Sequence, residues 1–192
     1  MALRAFDPGF ETKGVLSLVV SLSGSEESAP AALFQETLEG LRALPGVEDA
    51  GAINHLPMGG DLWGFGFHGR PLPAPGERPS AAYRVVLPGY FSTMRLALTG
   101  GRYFDEHDVL GRPGVIIVNE ALARSQWFGE DPIGKAMTLD DPTSPDADWL
   151  MVAGVVHDAV RSGWAEEPAP EMYLPYLQSR SYVEEAGGHL ST

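Results

Sequence analysis

The chain has 192 residues, 13 of them basic and 26 acidic, and its formal charge of -13 repels phosphate backbones and anionic headgroups, which argues against nucleic acid as a partner. Hydrophobic residues make up 44% and charged ones 20%, enough for one sizeable core or two small lobes sharing a boundary, and too apolar for wholesale disorder. The absence of cysteine removes disulfides, thiolate chemistry and zinc-thiolate sites, and neither a membrane span of roughly 18 apolar residues nor a signal peptide can be read in the chain.

Val15 to Leu22 alternates Val15, Ser17, Val19 and Ser21 with Leu16, Leu18, Val20 and Leu22, the period of a strand with one fully apolar face. A polar loop follows, and Pro30 fits the first turn of a helix whose Leu33, Phe34, Leu38, Leu41 and Leu44 recur at helical spacing until Pro45-Gly46 stops it. Val47 to Ile53 reads as a second strand, which would complete a βαβ-like unit with its helix across the sheet. Met58 to Gly69 is glycine-rich and Pro71 to Pro79 proline-rich, so this region reads as loop and short irregular strand. Tyr83 to Leu87 reads as a strand, and Tyr90 to Leu96 as a short helix after the Pro88-Gly89 turn.

The clearest punctuation lies between Gly100 and Lys135. Val115-Ile116-Ile117-Val118 is β-branched throughout and bounded by Pro113-Gly114 and Asn119, the pattern of a short strand buried on both faces. Asn119 can cap a helix from Glu120 to Phe128, with Glu120 at the positive end of the helix dipole and Gly129 free to take the left-handed conformation that ends it. Ala121, Leu122, Ser125 and Phe128 would share the face that packs on the strand. Further strands are expected at Met137 to Leu139 and Trp149 to Val156, joined by the acidic loop Asp140 to Asp148, and at Met172 to Tyr176. Ser179 to Thr192 carries no strong pattern and is expected to be mobile, and no internal repeat is present.

Gly129-x4-Gly134-Lys135 nearly spells a phosphate-binding P-loop, in which glycine amides and a lysine cradle phosphates. Ala136 stands where a Ser or Thr would hold magnesium, however, the motif follows a helix rather than a strand, and Pro132 deletes an amide the cradle needs. A structural turn is the better reading, and no cofactor is expected. Asp105-Glu106-His107-Asp108 offers oxygen and imidazole ligands in a row, but neighbouring residues point in different directions and no second cluster stands at ligand spacing. It reads as a solvated acidic turn. His157-Asp158 follows a strand end, where catalytic residues often sit, yet no nucleophile in a Gly-x-Ser-x-Gly context accompanies it, and His55 is likewise isolated. Both read as surface or locally hydrogen-bonded histidines. Trp63, Phe65 and Phe67 stand at strand spacing, which suits a ligand groove or a partner surface and, more commonly, core. No catalytic, cofactor-binding or metal-binding residue is assigned.

An ordered set of short motifs carries a resemblance. It comprises Asp7-Pro8-Gly9-Phe10, Leu44-Pro45-Gly46-Val47, Leu56-Pro57, Gly69-Arg70-Pro71, Pro88-Gly89-Tyr90-Phe91-Ser92-Thr93-Met94, Gly101-Arg102, Val118-Asn119-Glu120, Pro132-Ile133-Gly134-Lys135, Val152-Ala153-Gly154-Val155-Val156 and Tyr173-Leu174-Pro175-Tyr176-x-Gln178. From about Phe6 to Gln178 the chain resembles the extracytoplasmic core domain of MacB-like ABC transporter permeases, in their bacterial duplicated-permease branch.

The resemblance implies a two-lobed α+β domain, with a porter-like lobe at about 10–58 and 171–178 and a small, mainly β lobe at about 59–170 inserted into it. It places the domain outside the cytoplasm, between the first and second membrane helices of an inner-membrane permease, so that a span precedes Met1 in the natural chain and Met1 is an added start. The implied function is non-enzymatic: the relay of motion from a cytoplasmic ABC ATPase, through membrane helices, to a substrate, a second permease copy or an envelope protein. In the family the porter lobe continues past Tyr173-Leu174-Pro175-Tyr176 into another strand, a helix and a further strand. The chain therefore reads as a truncated domain whose Val15 to Leu22 sheet has an open edge that contacts a second copy. The residues alone support an acidic α+β domain without a recognisable active site. A secreted or periplasmic small-ligand binding protein, a hydrolase and a structural adhesion module stay open at this point.

Overall fold

The computed structural model describes residues 13–21, 30–55, 62–70, 73–74, 77–159, 168–179 and 189–191, which form a mixed α+β fold around one curled sheet. In chain order the elements are β1 (Val19–Ser21), α1 (Pro30–Arg42), β2 (Leu62–Gly64), β3 (Gly66–Phe67), β4 (Ser80–Val86), α2 (Tyr90–Thr93) and β5 (Leu98–Gly101). After these come β6 (Gly114–Asn119), α3 (Glu120–Gln126), β7 (Ala136–Thr138), β8 (Leu150–Val156), β9 (Glu171–Pro175) and β10 (His189–Ser191).

Neighbours in the large sheet run β2-β4-β9-β6-β8-β7-β3. Its two outermost strands are separated in sequence by Phe65 alone, so the sheet closes on itself as a small barrel. Arg78 staples the seam: its Nε donates to the Phe65 carbonyl (3.2 Å) and a terminal nitrogen to the Leu139 carbonyl (3.0 Å) and to that of Asp140. The parallel pair β6–β8 is joined by a crossover through α3 and β7, as parallel pairing requires. Along its far edge β8 pairs first with β7, at Leu150 and Met151, and then with β5, at Gly154 to Val156.

Strand alternation divides the burial. Phe67, Tyr83, Val85, Ile116, Val118, Met137, Val152, Met172 and Leu174 converge from β3, β4, β6, β7, β8 and β9 into the larger core, to which α1 adds Phe34 and Leu38 and α3 adds Leu122. The opposite face carries a second core of Val86, Ile117, Val156 and Tyr173 with Tyr90 and Phe91 of α2. Gly101 is required where β5 crosses β8, because its φ is 72° and a Cβ there would lie 2.1 Å from the Ala153 carbonyl oxygen.

Several expectations hold closely. Residues 115–118 are all buried within β6, and Asn119, at φ -85 and ψ 169, caps α3 by accepting the Leu122 amide at 3.0 Å. The paired strands around the acidic loop appear as β7 and β8. Others are corrected. The stretch 47–53 forms no strand, only an isolated bridge from Ile53 to Val86: Arg42 of α1 binds Asp49 and the Ala50 and Pro88 carbonyls, and Ser92 of α2 donates to Asp49, so the stretch is tied to α1 and α2 rather than to β1. The βαβ-like unit is thus absent, and β1 pairs with β10 instead. Strand structure begins only at Val19, and Leu16 is 83% exposed. The strand near Met172 to Tyr176, expected beside the first unit, lies between β4 and β6.

Two further differences are local. Phe128 is exposed and Trp127 buried, since α3 ends at Gln126 and the Trp127 backbone (φ -132, ψ 44) breaks the helical period that would have turned Phe128 inward. Residues 189–191 form a strand where no pattern was expected, while 180–188 lie outside the described residues, as do Met58 to Gly60 and Leu56-Pro57.

Candidate functional site

Most candidates from the sequence make bonds within the fold. At Gly129 to Lys135 the two glycines adopt φ values of 76 and 77, the Asp131 carboxylate accepts the Ile133 amide (3.0 Å), and the Gly134 amide donates to the Val152 carbonyl (2.9 Å). Lys135 pairs with Glu130. Amides and lysine are therefore engaged within the chain, as a turn requires and a phosphate cradle forbids. In calorimetric titration the chain is expected to show no saturable ATP binding. Binding that is lost on Lys135→Ala would overturn this reading.

The Asp105 to Asp108 stretch is a fastened turn. Asp108, 4% exposed, takes both terminal nitrogens of Arg102 (2.7 and 2.8 Å) and the Asp105 amide, while Asp105 accepts the His107 amide. That amide bond is the main reason the Asp105 carboxyl lies below its ordinary range. Among the described residues no group of three His, Cys, Asp or Glu side chains is placed to hold a metal ion.

His157 and Asp158 serve α3. Asp158 accepts the Ala121 amide (2.8 Å) and pairs with Arg124 (2.7 Å), and His157 Nδ1 lies 3.2 Å from Glu120. His55 stands apart from them, its carbonyl accepting from Arg84 at 3.4 Å. The aromatic stripe divides: Phe65 and Phe67 are core, whereas Trp63 is 40% exposed.

Trp63 leads to a feature the sequence does not assemble. Where β6 and β8 begin and β9 ends, a groove of about 460 Å³ opens on the barrel, lined by Trp63, Tyr83, Arg112, Asp140, Asp148 and Trp149 among others. The ring of strands brings these residues together from distant parts of the chain. Sequence reasoning also missed a buried cluster on the opposite face of the sheet: Arg84 and Glu171, 1% and 2% exposed, form an ion pair at 3.9 Å, and the Tyr173 hydroxyl donates to Glu171. The signal lay in the charges set at or beside apolar runs, Tyr83-Arg84-Val85-Val86 and Glu171-Met172-Tyr173-Leu174.

With this fold in place, the chain matches the family described as MacB-like periplasmic core domain across residues 2–190. The chain belongs to that family. In fold it is similar to the periplasmic region of MacB from Actinobacillus actinomycetemcomitans, at 17% identity and a TM-score of 0.54, over 82% of this chain and 62% of that one. It is similar also to the extracellular domain of the noncanonic ABC-type transporter YknZ from Gram-positive bacteria, at 19% identity and a TM-score of 0.51, over 92% of this chain and 82% of that one. The chain thus spans about three fifths (62%) of the MacB region it matches. No curated protein sequence matches it. As a MacB-like periplasmic core domain it is an extracytoplasmic domain of the ABC transporter permease type. Among the described residues no helix is long and apolar enough to cross a membrane.

Proposed function

We propose that this MacB-like domain is a non-catalytic mechanical element of an inner-membrane permease. It relays ATP-driven motion from a cytoplasmic ABC ATPase, through membrane helices, to a substrate or partner outside the cytoplasm, for export or envelope processes. The observation that carries this reading is the β1–β10 ribbon, in which Val19 lies opposite Ser191 and Ser21 opposite His189. Being antiparallel, the two strands bring the incoming and outgoing chain side by side at one end, and Val20 packs against the larger core. Displacement of the segments before β1 and after β10 therefore enters the body at one place. The engagement of His157 and Asp158 with α3 supports the reading, since it gives both a part in holding that helix.

These 192 residues contain no cysteine, so within them a dye can be directed to one introduced thiol once any cysteines elsewhere in the permease and its ATPase are replaced. In nanodiscs holding the full-length permease and its ATPase, a dye at Phe128→Cys, a 90% exposed position, reports its distance from labelled headgroups by energy transfer. Transfer is expected to change when ATP is trapped with vanadate and to stay constant with a hydrolysis-dead ATPase. Constant transfer in both states would remove the relay.

A further inference from the structure

The groove at the barrel mouth combines chemistry that the fold does not need. Its floor is apolar, with Tyr83, Val115 and Leu174, and the Trp63 indole of β2 stands beside it, its ring 6.0 Å from that of Tyr83, while Trp149 just before β8 also lines the groove and packs its ring edge-on against His68. One rim is the acidic loop of residues 140–148. The Asp148 amide donates to the Asp140 carboxylate (2.8 Å), which holds the two ends of the loop together and keeps both carboxylates at the groove. Arg78 fixes the loop through the Leu139 and Asp140 carbonyls and makes no ion pair with Asp140 or Asp148. Among the described residues no cation pairs with Asp140, Asp146 or Asp148. Arg112 stands elsewhere on the lining, so the groove carries both signs of charge.

We infer that this groove is a docking site for an extended, basic segment of a partner protein, which lays an apolar side chain against Trp63 and Tyr83 and sets its cations against Asp140 and Asp148. Charge complementarity argues for this occupant. Asp140, Asp141, Asp146 and Asp148 spread negative charge along the loop, which matches several cations in a row better than the single charge of a small ligand. The Asp141 carboxyl is held below its usual range, first by the Thr143 hydroxyl and then by the Thr143 amide, with a smaller contribution from the charge of Arg78. Indole faces suit both the aliphatic stems of lysine or arginine and an inserted apolar side chain. The overall charge of -13 raises the local concentration of any basic partner. This inference stands apart from the relay, since docking at the groove needs no motion.

The test uses the 192-residue chain and a synthetic decapeptide alternating lysine and leucine, with a glutamate-leucine decapeptide and decyltrimethylammonium as comparisons. The lysine-leucine peptide is expected to shift the indole NMR signal of Trp63 and to leave that of buried Trp127 in place. Asp140→Asn with Asp148→Asn is expected to weaken its binding about tenfold, the sum of two rim ion pairs. Glu36→Gln with Glu39→Gln removes the same charge from exposed positions of α1 and is expected to leave affinity unchanged. The inference is overturned if the α1 variant weakens binding as much as the loop variant, or if the glutamate-leucine peptide binds equally well. It is overturned too if the lysine-leucine peptide leaves the Trp63 indole signal unmoved, and a response to decyltrimethylammonium alone would assign the groove to small cations instead.

Discussion

Replacing Glu171 with leucine is expected to destabilise the chain by about 3–5 kcal/mol, the range for removing one partner of a buried ion pair. Glu171 and Arg84 are 2% and 1% exposed, and their 3.9 Å separation makes the pair loose by the standard of a bidentate contact. Desolvation of both ions opposes what attraction they gain, so the pair itself adds little net stability. Taking one ion away is a different matter. Glu171→Leu would leave the guanidinium of Arg84 inside the sheet without that carboxylate, and the Tyr173 hydroxyl without the acceptor it now has. The double variant Arg84→Met with Glu171→Leu is therefore expected to be more stable than Glu171→Leu alone. Urea unfolding read at constant slope separates these cases. Strict additivity of the two substitutions, or a cost below about 1 kcal/mol for Glu171→Leu, would show that the two side chains do not act as a pair.

Arg84 also shows where reading a sequence reaches its limit. Local chemistry was legible: four β-branched residues in a row gave β6, and the short polar side chain of Asn119 gave the start of α3. The strands on either side of the acidic loop were legible for the same reason, as short apolar runs bounded by turn residues. Pairing between distant strands was not, because period-two alternation tells which face a residue takes and nothing about its neighbour across the ladder. Thus β9 could be placed as a strand while its neighbours β4 and β6 stayed unassigned, and the charges of Arg84 and Glu171 could not be joined. The barrel closure depends on Phe65 lying between two short strands that pair with opposite ends of the sheet, which no local pattern encodes. The groove follows the same logic. Trp63 was visible within an aromatic stripe and the acidic loop as a connection between two strands, and only the closed ring brings them to one groove.

Asn119→Ala is expected to cost about 3 kcal/mol, more than the roughly 1 kcal/mol of a helix cap alone. The cap is one of three hydrogen bonds that this fully buried side chain makes. Its oxygen accepts the Leu122 amide at 3.0 Å and the Glu171 amide at 2.9 Å, and its nitrogen donates to the Ala169 carbonyl at 2.8 Å. One residue thus ties the end of β6 to the start of α3 and to the start of β9. Alanine would leave the Glu171 amide and the Ala169 carbonyl without this partner where water has little access, and each such group costs about 1–3 kcal/mol before relaxation. Serine distinguishes the two roles. Its hydroxyl can still cap α3, but its shorter side chain cannot reach both the Leu122 amide and the Ala169 carbonyl. Asn119→Ser is therefore expected to keep most of the loss seen with alanine. Hydrogen exchange should show the difference residue by residue, with the Glu171 amide exchanging faster in both variants and the Leu122 amide faster only in the alanine one. If serine restores stability to within about 0.5 kcal/mol of the parent chain, Asn119 is a helix cap and the junction with β9 is held by other contacts.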